Sequence, residues 1–370
     1  VAQYKKPKQE GDAMKPLLRQ LLKHQHRHTS IAAALALALF AASRAQAQSA
    51  DPAQVDALIA QATNAAGDDM KAPLQLCKTA TAPQPSEQQE HAELAKLIAN
   101  SYLPPAKVFD NLYFLGTSWV SAWAVTTPKG IILFDALDND QEAKDSIEGG
   151  LKKLGLNPGD IKYIVVTHAH GDHYGGVNYL VEHYHPKVIM SDVDWSELEK
   201  PKLQFDDPNW GRPPKRDISV KDGYQLKLGG ETVKLYVTAG HTPGTLSAIF
   251  PVKDKGRTRN AVLWGGTAFN FGKIPERLRM YIASSDRFEA RAKPDHLAVL
   301  LSNHERYDDT FAKFKVLAAA PDGPNPYVIG EDATKRFFEV ARLCARATLA
   351  SFDSEALKNL PTRVMARPKG

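Results

Sequence analysis

Thr167-His168-Ala169-His170-Gly171-Asp172-His173 follows directly on the apolar run Ile161-Lys162-Tyr163-Ile164-Val165-Val166. The run is short and β-branched, which reads as a buried strand. A strand ending in H-x-H-x-D-H delivers three imidazoles and a carboxylate to one point. Those ligands suit zinc and its neighbours in the transition series. Residues two apart in an extended segment point the same way, so His168 and His170 can share an ion. Gly171 lets the chain bend, and Asp172 and His173 leave in a direction that can serve a second ion.

Two ions need more ligands. His241 lies in Thr238-Ala239-Gly240-His241-Thr242-Pro243-Gly244, directly after the strand-like Val233–Val237. His304 follows the strand-like Leu297–Leu301 through Ser302-Asn303. Both repeat the grammar of the first motif, a strand and then a turn with His at its tip. His296 lies at the opposite end of its strand. His183 and His185 end a helix, and His91 belongs to an N-terminal segment. These four read as ordinary surface or core histidines.

Outward from the motif, short β runs at Val108-Phe109, Leu112–Leu115, Val120–Val125 and Ile131–Phe134 precede it. Others follow at Ser247–Val252 and Ala261–Trp264. Helical patterns cover Asp140–Leu154, Tyr174–Tyr184, Asp308–Ala320 and Asp332–Leu349. Residues 199–217, rich in Pro and charge, read as a long loop of the kind that borders an active site. Residues 48–105 read as a mostly helical N-terminal arm. In it, Ser86 followed by Gln89 has the form of a capping box. Residues 106–352 form the main domain and 353–370 a tail. Sheets with helices before and after them imply α/β architecture, two sheets packed together with helices outside.

The chain has 370 residues and a formal charge of +5. Residues 1–47 carry eight Lys/Arg against two acids, more than the whole excess, so the remainder is slightly acidic. A nucleic-acid partner therefore has no electrostatic support. Residues 1–47 have the layout of a secretory signal peptide. Met14 opens a basic segment, Ile31–Ala42 is apolar, and Ala45-Gln46-Ala47 supplies a cleavage site. Residues 1–13 precede the expected start at Met14. The apolar run makes about 18 Å of helix, short of a membrane core of about 30 Å, so no stable membrane anchor is expected. The expected location is periplasmic or secreted. The two cysteines, Cys77 and Cys344, then permit one disulfide, or two separate buried thiols.

From Lys107 to Cys344 the chain resembles the metallo-β-lactamase-fold hydrolases. The resemblance rests on Ile131-Ile132-Leu133-Phe134-Asp135, Thr167–Gly176, Gly240-His241-Thr242-Pro243-Gly244-Thr245 and the strand-end His304. The spacing is most similar to the His-rich third subclass of metallo-β-lactamases, as is Pro324-Asn325-Pro326-Tyr327-Val328 before a Cys-containing helix. The resemblance implies an αββα sandwich and two zinc ions. It places His168, His170 and His241 on the first zinc and Asp172, His173 and His304 on the second. Asp172 also orients the nucleophile, and Asp135 stands behind the ligands.

Trp264-Gly265-Gly266-Thr267 departs from the glyoxalase II and acyl-homoserine lactonase pattern, which has a metal-bridging Asp where this chain has Gly266. That agrees with the third subclass, which lacks the bridge. Where that subclass has serines that hold the drug carboxylate, this chain offers Thr267, Phe269 and Asn270. Thr267 and Asn270 are the substrate contacts implied.

The reading is an exported zinc hydrolase of β-lactamase-like activity, in which a metal-activated hydroxide attacks a cyclic amide of a small molecule. The alternative is the same fold acting on a lactone, ester or other acyl compound. A metal-binding scaffold without catalysis would lack a ligand, and all six ligands are present.

Overall fold

The computed structural model describes residues 50–81, 86–358 and 360. The segment 1–47 expected to be a signal peptide and most of the expected tail lie outside the described residues. Two sheets form the centre. The first holds seven strands in sequence order: β1 (Ala106–Phe109), β2 (Leu112–Phe114), β3 (Trp123–Thr127), β4 (Gly130–Phe134), β5 (Ile161–Val165), β6 (Lys187–Ser191) and β7 (Ile218–Val220). Its first four strands pair antiparallel, and β4 to β7 pair parallel. The second sheet has the order β12-β11-β10-β9-β8, with β8 (Tyr224–Leu228), β9 (Glu231–Val237), β10 (Leu246–Asp254), β11 (Arg257–Trp264) and β12 (Leu297–Ser302). Only β11 and β12 pair parallel there.

Three apolar layers separate four layers of structure. Phe134, Val165 and Ile189 of the first sheet meet Leu235, Phe250 and Leu263 of the second. The outer face of the first sheet, through Leu133, Ile164 and Met190, is covered by Ile147, Leu151, Val177 and Leu180 from helices. The outer face of the second, through Ile249, Val262 and Trp264, is covered by the helices Pro275–Arg291 and Glu331–Ala350. This is the αββα sandwich the sequence implied, and alternation along β10 shows its cause. Ala248, Phe250 and Val252 face one core while Ile249 faces the other, as a period of two requires.

The N-terminal segment is helical as expected, and it is built into the core. Asp51 caps the helix Pro52–Ala66, which buries Val55, Leu58, Ala62 and Ala66 with the C-terminal helix. The Ser86–Gln89 capping box is present in both directions. Cys77 and Cys344 are bonded, Cα atoms 4.4 Å apart.

Some elements differ from the sequence expectation. The strand expected from Val120 begins at Trp123, because Thr117 donates to the Val120 carbonyl at 2.7 Å and closes a turn that carries Trp119. The helix expected from Asp308 is broken by Asp309, which sits at φ 60°. The helix Pro275–Arg291 escaped the sequence reading because its buried face includes Arg277, Ser284, Ser285 and Glu289. The loop expected at 199–217 runs unbroken by helix or strand.

Candidate metal centre

Each implied ligand stands just beyond a strand end, on one rim of the sandwich. His168, His170, Asp172 and His173 follow β5, His241 follows β9, and His304 follows β12. All six side chains are buried. The loop after β4 supplies Asp135, whose Oδ1 accepts from the Thr167 amide at 2.7 Å. Its Oδ2 accepts from the Thr167 hydroxyl and from His173 Nδ1, each at 2.9 Å. Asp135 therefore ties Thr167 and His173 of this loop together.

The far nitrogen of each of four histidines is held by an acceptor. His168 Nδ1 donates to the Gly265 carbonyl at 2.9 Å, and His241 Nδ1 to Ala268 at 2.8 Å. His304 Nδ1 donates to Trp119 at 2.7 Å, and His173 Nδ1 to Asp135. An N–H fixed on one side leaves a lone pair on the other. His241 Nε2 then lies 2.9 Å from His168 Nε2 and 3.0 Å from His170 Nδ1. Two lone pairs at that distance repel unless a cation lies between them.

On the other side, His173 Nε2 is buried with no hydrogen-bond partner, 3.1 Å from Asp172 Oδ2. His304 Nε2 is 3.5 Å from the same oxygen. The ligand atoms of His168, His170 and His241 fall within 4.8 Å of one another, as do those of His168, Asp172 and His173. His304 stands beside the second group through Asp172. The donor set fits two adjacent cations.

Burial pushes His241 down to about 4 and His304 to about 3, and holds His168 and His170 well below the usual imidazole range. These four are neutral imidazoles at pH 7. His173 goes the other way. Burial lowers it, but the Asp172 and Asp135 carboxylates outweigh that and raise it to about 10. Burial opposes the charge on Asp172, yet His173 and the other imidazoles hold that carboxyl well below its ordinary value. Two carboxylates that favour a proton on His173 also favour a metal cation beside it.

The structure revises one implied substrate contact. Thr267 is fully buried, its hydroxyl hydrogen-bonded to Ser302 Oγ at 3.0 Å, so it faces β12 rather than a ligand. Asn270 is exposed. Gly266 shows why no bridging carboxylate stands here: a Cβ would lie 2.7 Å from His241 Cβ. His296 pairs with Glu331 on an exposed edge, and His91 pairs with Asp207.

Two acids escaped the sequence reading. Asp194 accepts from Ala169 N at 3.0 Å, the Thr242 hydroxyl at 2.6 Å and Gly244 N at 2.8 Å. It thus ties the His168–His170 loop to the His241 loop, while burial raises its carboxyl to about 6. Ser191, three residues before it, caps the helix Asp192–Leu198, and that cap was the legible signal. Asp138 accepts from the Trp119 and Trp210 indoles at 3.1 and 2.9 Å. Trp210, on the long loop, covers Gly171 so closely that a Cβ there would lie 2.3 Å from the indole.

Residues 116–254 match the family model of the metallo-beta-lactamase superfamily. The chain carries a domain of that superfamily. Its fold is similar to BJP-1, a subclass B3 metallo-beta-lactamase of Bradyrhizobium japonicum. The TM-score is 0.58 and the identity 26%, over 65% of this chain and 92% of that one. A hydroxyacylglutathione hydrolase of Rhodopseudomonas palustris is 28% identical over 200 residues, 47% of this chain and 67% of that protein. The uncharacterized protein YobT of Bacillus subtilis is 38% identical over 117 residues, 30% of this chain and 46% of that protein. The chain thus spans about half to two thirds of the length of these curated relatives. The superfamily domain supplies every implied ligand except His304, which β12 brings to the same rim.

Proposed function

We propose that the chain is an exported zinc-dependent hydrolase with β-lactamase-like activity on a cyclic amide. The observation that carries this reading is the convergence of five buried donors into two adjacent groups that share His168, with His304 beside the second group and Gly266 in place of a bridging carboxylate. His168, His170 and His241 would hold one ion, and Asp172, His173 and His304 the other. Metal bound there would supply Lewis acidity at an acyl oxygen and a water acidified toward neutrality.

The chain's own residues do the rest. The ionised Asp172 carboxylate would accept a hydrogen bond from the nucleophile and orient it. Asp135 and Asp194 hold the ligand loops in register. Phe205, edge-on to His170 at 4.7 Å between ring centroids, and Trp210 exclude water from one side. Export is supported by the layout of residues 1–47 and by the Cys77–Cys344 bond, which suits an oxidising compartment.

A second reading is hydrolysis of a lactone, ester or thioester. It is favoured by the hydroxyacylglutathione hydrolase relative and by the burial of Thr267. Metal analysis of the purified chain, with penicillin, cephalosporin, carbapenem, lactone and thioester substrates in parallel, separates the two. A zinc-loaded enzyme that leaves all three β-lactam classes intact but opens a lactone or thioester makes the second reading the correct one.

A further inference from the structure

A cavity of about 800 Å³ is walled by residues 68–75, the helices Glu305–Asp308 and Thr310–Ala319, and the start of the helix Glu331–Ala350. That volume falls in the roughly 300–1,000 Å³ range of small-molecule sites. Leu300, Ile329, Ala333 and Phe337 give it an apolar side that belongs to the outer core of the second sheet. Val316 lines it and is 47% exposed, which marks the side open to water. None of the six implied metal ligands lines it.

Glu305 does line it, and that residue is only 7% exposed. Its Oε2 is buried with no hydrogen-bond partner. Among the described residues no Lys, Arg or His nitrogen lies within 4.0 Å of its carboxylate. The charged neighbours are engaged elsewhere or stand in water. Asp308 accepts from the Ser302 amide at 3.0 Å and from the Thr310 hydroxyl at 2.7 Å. Asp69 pairs with Arg336 at 2.6 Å, and Lys71 with Asp68 at 3.7 Å. Lys313 Nζ lies over the Tyr327 ring, 4.6 Å from its centroid. Arg306 and Asp309 are exposed. A buried carboxylate without a donor is costly, because nothing replaces the hydration it has lost.

We infer that this cavity is a second binding site, for a primary amine with an aromatic or alkyl body whose ammonium pairs with Glu305. An ammonium is compact and carries three donors, so it can serve a carboxylate set in a cavity wall. A charge-assisted bond of this kind is stronger than a neutral one. Leu300, Ile329 and Phe337 offer the carbon body an apolar surface. The site is separate from the metal centre and does not rest on the hydrolase reading.

The experiment is calorimetric titration of the zinc-loaded protein with 4-phenylbutylamine and with 4-phenylbutan-1-ol. The two compounds differ only in the polar end. Wild type is expected to bind the amine about 10-fold more tightly than the alcohol. Glu305→Gln keeps the shape and removes the charge. It is expected to bind amine and alcohol alike, with zinc content unchanged. Val316→Trp fills the cavity from its exposed side and is expected to weaken both compounds together, with the melting temperature retained.

The inference is overturned by a wild type that binds neither compound or shows no preference. It is equally overturned by a folded Glu305→Gln variant that keeps the preference, since the amine then sits on the metal or on another acid. A folded Val316→Trp variant that binds both compounds as wild type does also removes it. If Glu305→Gln unfolds or loses zinc, Val316→Trp decides the site by itself, because it changes an exposed side chain.

Discussion

At the residue scale, the tautomers are the informative detail. Gly265, Ala268, Trp119 and Asp135 each take an N–H from a histidine, and the opposite lone pairs turn inward. His304→Ala should therefore lose the second metal and keep the first. His296→Ala should change neither metal content nor activity, since it reaches only Glu331. Elemental analysis of the two purified variants checks this, and an unchanged metal count in His304→Ala removes that residue from the ligand set. Thr267 makes a separate test. With its hydroxyl on Ser302, Thr267→Ala should cost about 1 kcal/mol of stability in urea unfolding, through an unpaired buried group. A rise in KM confined to carboxylate-bearing substrates would instead return Thr267 to the substrate.

At the scale of elements, the sandwich depends on two ties. One is the Cys77–Cys344 bond, which closes a loop of 267 residues. On the loop-closure model such a bond is worth about 5 kcal/mol. Reduction should lower the urea midpoint with metal content retained, because the bond joins Ala72–Ala80 to the helix Glu331–Ala350 on the outer face of the second sheet and neither segment carries an implied ligand. The other tie is the long loop laid over Gly171 by Trp210. Gly171→Ala drives a methyl into the indole, and overpacking of this kind costs roughly 1–3 kcal/mol. Its effect should include altered metal affinity as well as stability, because Gly171 sits between His170 and Asp172. An Ala variant with wild-type melting and metal binding would show that the loop yields freely.

For the whole molecule, the buried imidazoles set the pH response of the metal-free protein. His241 and His304 fall from 6.5 to about 4 and about 3 on folding. The stability they contribute is present above pH 6.5 and is lost as pH falls toward those values. His173 rises from 6.5 to about 10, so its contribution is present below pH 6.5 and is lost as pH rises toward 10. Chelator-treated protein should melt highest near pH 6–7, with both arms declining. Metal should remove the alkaline arm, because a metal-bound imidazole carries no proton there. Thermal unfolding of the two forms from pH 5 to 9 checks the sign. A metal-free melting temperature that climbs steadily through pH 9 contradicts the charge assigned to His173.

The sequence by itself determined the sandwich and picked out the six implied ligands, because both are written in local signals. A β-branched run followed by H-x-H-x-D-H marks a strand end and its chemistry in one stretch. Period-two alternation placed most strands, and the Ser86–Gln89 box placed a helix start. What escaped was decided by contacts between distant segments. Pro275–Arg291 has no clean apolar stripe because its buried Arg277 and Ser284 are matched by loop carbonyls, Gly240 for Arg277 Nε and Ala239 for Ser284. Asp194 is one acid among many in sequence and becomes the link between two ligand loops only when β6 lies beside β5. Thr267 fitted a substrate role by position alone, and β12 took its hydroxyl. Side-chain direction at a strand end depends on the neighbouring strand, and no local pattern encodes that neighbour.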